Sequence, residues 1–161
     1  MRGQEVASVA DKAVGDVIRF GLGSRNWLLA QLDGADELYT WKPPGGGRSA
    51  EEILTHVAWG VSAVCSQIAA EIGLVLKEPK IAEQEGIAAR LKAEVTASYE
   101  LFTELCEKID GHTLEKIIEL PPPGRVGEGT IERVLRIITG YHVVHHAGQI
   151  AMVLSMATKA R

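Results

Sequence analysis

Three observations predict an all-α protein, a four-helix bundle with long interhelical connections. Apolar residues make up 46% of the chain but aromatics only 5%, a balance rich in Ala, Val, Ile and Leu that suits packed helices better than a β-sandwich. Four stretches of roughly 20 to 30 residues repeat apolar side chains at helical spacing. Between them the chain is punctuated by Gly and Pro clusters that exclude regular structure. At 161 residues the chain is expected to form a single domain, 1–161, with a real hydrophobic core.

The first helix is predicted from about Gln4 to Leu32, with Val6, Val9, Ala13, Val17, Phe20, Trp27 and Leu28 among its apolar positions. Trp27 reads as core, and Gly21 and Gly23 weaken the helix midway. "LDGADELYTWKPPGGGRS" then reads as a long loop, able to cross one end of the bundle. Ser49 opens the second helix. "SAEE" is a capping box, with Ser49 at the N-cap and Glu52 three residues on, and the helix is expected to run to about Gly73.

The third helix is predicted over roughly Ile81 to Asp110, stopped by "DG". "EKIIEL" can form a short extended piece, and Pro121 to Pro123 a rigid connector. Thr130 caps the fourth helix, about Ile131 to Met156.

That last helix holds most of the histidine: "GYHVVHHAGQI" places three of the chain's five within it. At about 100° per residue, His142 and His146 share the stripe of Ile131, Leu135, Ile138, Gln149, Val153 and Met156, with His145 on its flank. A buried polar group needs a partner, so the pair is an anomaly in a core face. The second helix repeats it. His56 shares a face with Ile53, Gly60, Ala63, Val64 and Gln67, and the small residues leave space beside the imidazole.

His56, His142 and His146 could converge on one divalent ion, three imidazoles with an open fourth position. The plainer alternative is hydrogen-bonded core histidines, because an H-x-x-x-H pair by itself is a weak signal. "HVVHH" is not a zincin motif, since Val143 stands where the glutamate belongs. "PPGGGRS" lacks the lysine and the preceding strand of a phosphate-binding loop.

In "SAEEILTHVAW" and "HVVHHAGQIAMVL" the chain resembles the DinB/YfiT-like superfamily of helical-bundle metalloenzymes. The resemblance runs in order over nearly the whole chain. It is strongest in the last helix, where the family pattern is H-x-x-x-H-x-G-Q-I. It implies that His56, His142 and His146 are metal ligands, with zinc or nickel as the expected ion. It further implies a thiol-dependent S-transferase or isomerase, with a small-molecule substrate or a low-molecular-weight thiol such as bacillithiol or mycothiol as partner; a metal-bound water would equally allow a hydrolase. The alternative function is a non-catalytic bundle that binds a metal or small ligand. Arg48 departs from the family, which often carries Trp before the capping Ser.

No side chain is an obvious catalytic base. Glu52 is the nearest carboxylate, although capping is its simpler role, and Gln149 is placed to orient a histidine. Cys65 and Cys106 read as free thiols of a cytoplasmic protein. Trp41, Trp59 and Tyr141 read as packing residues near the site, and His112 as a solvated loop residue.

A net charge of −4 argues against nucleic acid as a partner. No leader pattern and no membrane-length apolar segment is expected. Gly140, Val144, Ala147, Gly148 and Ala151 lie about opposite His142, beside Val143 and Leu154. This outward apolar stripe predicts a homodimer through the last helix, the alternative being that a neighbouring helix or the long loop of the same chain covers it.

Overall fold

A computed structural model describes residues 2–120 and 129–161, with the side chains of residues 2–11, Val6 and Val9 included, outside the described set. Pro121 to Pro123 lie outside the described residues. Four long helices dominate, as expected: α1 (Arg2–Leu29), α3 (Ala50–Glu71), α4 (Ile87–Glu107) and a last helix built of α6 (Ile131–Arg136), a π-turn (Ile137–Tyr141) and α7 (His142–Lys159). Between them lie two short helices, α2 (Asp36–Thr40) and α5 (Gly111–Leu114). Strands β1 (Ile117–Ile118) and β2 (Gly129–Thr130) form a minimal antiparallel pair. "EKIIEL" is thus extended where it pairs, and Thr130 both ends β2 and caps α6 through Arg133 N at 3.2 Å.

Around the bundle α1 packs against α4 and α7, and α3 packs against α4 and α7. The consecutive helices α1 and α3 therefore sit on a diagonal. The connection between them must cross one end, and α2, which forms within it, packs against α3, α4 and α7 there. The stretch read as pure loop thus contains a helix.

Asp36 explains the start of α4 at Ile87, six residues later than predicted. Its carboxylate accepts from Ile87 N at 2.8 Å and Ala88 N at 3.0 Å, so the cap comes from a residue 51 positions earlier. Those two bonds hold its pKa below the usual carboxylate value. Gly86 sits at φ +89° with no room for a Cβ beside this carboxylate, so the helix cannot extend backwards toward Ile81. At the other end, Asp110 does not stop a helix but opens one. Its carboxylate accepts from Thr113 N at 2.7 Å and caps α5, which carries the exposed His112.

The capping box of α3 forms as expected. Ser49 Oγ accepts from Glu52 N at 3.2 Å, and Glu52 accepts from Ser49 N at 2.9 Å. Glu52 also binds Lys42 Nζ at 2.6 Å. By length and composition α3 is apolar enough to cross a membrane, contrary to expectation, yet more than half of it is buried inside the bundle. Its apolar surface is core.

Trp27 is 59% exposed, not core. The buried stripe of α1 runs through Val14, Val17, Gly21, Ser24 and Leu28. Gly21 is small because larger groups from elsewhere fill the space. A Cβ on Gly21 would lie 2.6 Å from the Phe102 ring and 2.9 Å from Thr139 Oγ1. A wheel that follows large side chains therefore misplaces the core face by one residue.

Candidate functional site

The last helix carries a similar phase correction, and it decides how the histidines are presented. Before the π-turn and at its start Ile131, Val134, Leu135 and Ile138 are buried; after it the buried stripe resumes with Val143, His146, Ala147 and Ile150. Each member of the second set lies twelve positions after one of the first, about 120° away on a straight α-helix. Eleven positions would differ by only about 20°. The π-turn absorbs the one extra residue, and His142 N–H donates to Ile137 O five positions back.

The core stripe of α7 is consequently one residue later than a straight wheel gives. Val143, Ala147 and Leu154, expected outside, are buried, while Met156, expected inside, is 39% exposed. Gly140 is buried as well, pressed against Phe20 of α1. The open residues of this helix include Tyr141, Val144, His145, Gly148 and Met152. The shift also moves the histidines from the middle of the core face toward its edge, along the seam with α3. His146 is buried, whereas His142 and His56 are half-buried.

At that seam the three side chains meet. Ligating atoms of His56, His142 and His146 all lie within 4.8 Å of one another. His142 Nε2 is 3.2 Å from His56 Nε2 and 3.0 Å from His146 Nε2. Gly60, one turn after His56, leaves the room. A Cβ there would touch His142 Cε1 at 3.8 Å and Ile138 Cδ1 at 3.7 Å. Gln149 Oε1 lies 2.7 Å from His146 Nδ1 and accepts its proton, which turns the His146 Nε2 lone pair toward the other two rings.

Hydrogen bonding among the rings satisfies this arrangement poorly. His142 Nε2 offers one in-plane position, a proton or a lone pair, to two close nitrogens. It serves one contact well and leaves the other weak, and His142 Nδ1 is buried without a partner among the described residues. An ion changes the sum, because all three lone pairs find a partner. Tetrahedral zinc with Zn–N of 2.0–2.1 Å separates its nitrogens by about 3.3–3.4 Å, close to the spacing present. The donor set fits a divalent ion.

The electrostatics agree. Burial, then the neighbouring imidazoles, pushes His142 down to about 4. His56 is lowered by burial and by the charge of Arg48. His146 is lowered chiefly by burial, against the opposing effect of the hydrogen bond it donates to Gln149. Neutral imidazoles with free lone pairs are the form that binds metal.

Other candidates drop away. Glu52 is committed to Ser49 and Lys42. His145 is exposed, its ring 5.2 Å from that of His146, and stands outside the triad. Cys65 and Cys106 are buried and free. Burial raises both thiols, Cys106 to about 12, which rules them out as thiolate nucleophiles near neutral pH. Trp59 is 51% exposed one turn beyond His56, and Trp41 packs on the core. Arg48, exposed, makes no ion pair among the described residues.

Fold and site together define an all-α helical bundle with a histidine triad on the seam of two helices. The chain belongs to the DinB superfamily, whose family model matches residues 25–150. Among solved structures, a conserved protein from Enterococcus faecalis is similar at a TM-score of 0.56 and 16% identity, over 96% of this chain and 98% of that one. At that identity the likeness is one of fold. No curated protein matches.

Proposed function

We propose that the protein is a divalent-metal-dependent enzyme of the transferase, isomerase or hydrolase type, using a thiol or water as nucleophile. The observation that carries this reading is the convergence of three imidazoles, with His142 Nε2 3.2 and 3.0 Å from the Nε2 atoms of His56 and His146. His56, His142 and His146 would hold the ion, zinc or nickel. Such an ion, when bound, supplies Lewis acidity that lowers the pKa of a coordinated thiol or water.

The chain's own residues do the rest. Gln149 keeps the proton of His146 on Nδ1 and so fixes the ring's tautomer and angle. Gly60 keeps the space beside His142 clear. Half-burial of His56 and His142 leaves the site within reach of solvent, which favours an enzyme over a closed structural metal. Three neutral ligands leave the ion's charge uncancelled, and Arg48 adds to it, so an anionic partner such as a thiolate is favoured.

The test is metal analysis of the purified protein, then turnover assays of the loaded protein with low-molecular-weight thiols and electrophiles. No retained divalent ion after reloading would sink the reading. Metal retained without turnover on any substrate would favour the non-catalytic binding bundle. Gln149→Leu is expected to weaken zinc binding about 10- to 100-fold. A competition titration measures this, and unchanged affinity would remove Gln149 from the site.

We further propose that a second copy of this chain docks on the open strip of Tyr141, Val144, Gly148 and Met152. From Ile137 to Thr158 the sequence has no Asp, Glu, Lys or Arg. Two acidic chains can therefore meet there without like charges facing each other. A Cβ on Gly148 would meet nothing within 4 Å, and this open space lets a helix approach closely. Light scattering is expected to give a dimer that Val144→Glu dissociates; a monomeric wild type at micromolar concentration would refute this.

A further inference from the structure

The π-turn that rephases the last helix is held from outside it. Tyr99, on α4, is fully buried, and its hydroxyl donates to the Thr139 carbonyl at 2.5 Å. Thr139 is the middle residue of the π-turn and is itself fully buried. Its own hydroxyl donates to Leu135 O at 2.8 Å. On the opposite side Gly21 of α1 leaves room only for that hydroxyl and the Phe102 ring. The turn is clamped between α1 and α4, and His142 closes it through its N–H to Ile137 O.

A π-turn is a costly local state, because one residue more than an α-helix allows is looped into the ladder. It persists where surrounding contacts determine it. A buried carbonyl in such a turn needs a donor, and leaving it without one costs more than the net value of the bond. The Tyr99 hydroxyl is a donor to one such carbonyl, that of Thr139. Without it, the turn can relax toward α-helical pairing, and relaxation by one residue rotates the rest of the helix by about 100°. His142 is the first residue on the rotated side.

We propose that Tyr99 is a positioning residue for the histidine site, its hydroxyl holding the π-turn and so setting the rotation at which His142 and His146 meet His56. The proposal rests on the triad being the functional site. The positioning itself is a property of the metal-free protein, so it can be tested separately from metal binding.

Tyr99→Phe removes only the hydroxyl and keeps the ring packed edge-on against Phe102, at 5.8 Å between centroids. Tyr39→Phe, which removes another buried tyrosine hydroxyl, at the α2 end of the bundle, serves as control. Long-range proton–nitrogen NMR of the metal-free proteins reads the ring nitrogens of each histidine. Tyr99→Phe is expected to move the His142 and His146 signals, and Tyr39→Phe to leave them in place. Cobalt titration of the same proteins is expected to show about a 10-fold loss of affinity for Tyr99→Phe, as for other outer partners of metal ligands, with an altered visible spectrum.

Unchanged histidine signals and cobalt affinity in Tyr99→Phe would overturn the proposal, whatever happens to its melting temperature. Equal changes in the Tyr39→Phe control would overturn it too, as general loosening. If the wild type binds no cobalt, the metal reading fails and the NMR comparison alone decides the positioning claim. Should Tyr99→Phe not fold, 4-aminophenylalanine at position 99 keeps a donor in place. It is expected to preserve the wild-type histidine signals, and displaced signals would refute the role.

Discussion

Replacing His146 with alanine is expected to abolish zinc binding, lowering affinity by more than about 100-fold, beyond the range expected for an outer partner of a ligand. His146 is the buried member of the triad and its ring angle is fixed by Gln149. At a free zinc concentration 100 times the dissociation constant, binding stabilises the native state by about 2.7 kcal/mol. For a domain of this size that raises the melting temperature by about 5–10 °C. The wild type should show this gain and lose it with chelator, and His146→Ala should show none. A variant that kept the full zinc-dependent shift would remove His146 from the ligand set. The metal-free protein carries a related signature. Its denatured chain takes up a proton at His142 near pH 6.5, whereas the folded chain does so only near 4. Acidification through that window therefore favours the denatured chain. Urea midpoints in chelator should fall from pH 7 to pH 4, and His142→Ala should flatten the fall.

Gly140→Ala is expected to destabilise the fold by about 1–3 kcal/mol, the usual cost of overpacking a filled space. A Cβ at this position runs into the ring of Phe20. That ring has little freedom to retreat, with Tyr141 5.2 Å away on one side and the Arg136 guanidinium 5.7 Å over it. The melting temperature should drop by about 2–12 °C. The substitution would ordinarily favour a helix, by up to about 1 kcal/mol, so a rise in stability would show that α1 does not press on the π-turn. Gly148→Ala, in open space on the same helix, should be neutral or stabilising in the isolated chain.

Much of the fold is legible in local chemistry. The capping box at Ser49 and Glu52 needs only neighbours along the chain, as does the Thr130 cap, and both form where the residues stand. The histidine positions are legible for a similar reason. His142 and His146 are one turn apart, so their common side survives any rigid rotation of the helix. His56 meets them across the seam of α3 and α7, beside Gly60. What misled a straight wheel was non-local. Gly21 occupies the core stripe of α1 because Phe102 and Thr139 fill the space above it. The α4 start is set by Asp36 from across the bundle end.

The sequence by itself determined an all-α bundle, the caps that open α3 and α6, the short extended piece at Ile117–Ile118 and the three histidines that come together. Only the tertiary structure decided the diagonal placement of α1 and α3, the helix inside the first connection and the one-residue π-turn before His142. Helical spacing and caps are short-range, so neighbouring residues contain them. A π-turn is chosen by the elements that clamp it, Gly21 from α1 and Tyr99 from α4, and that choice moves the histidines from the middle of the core to its accessible edge.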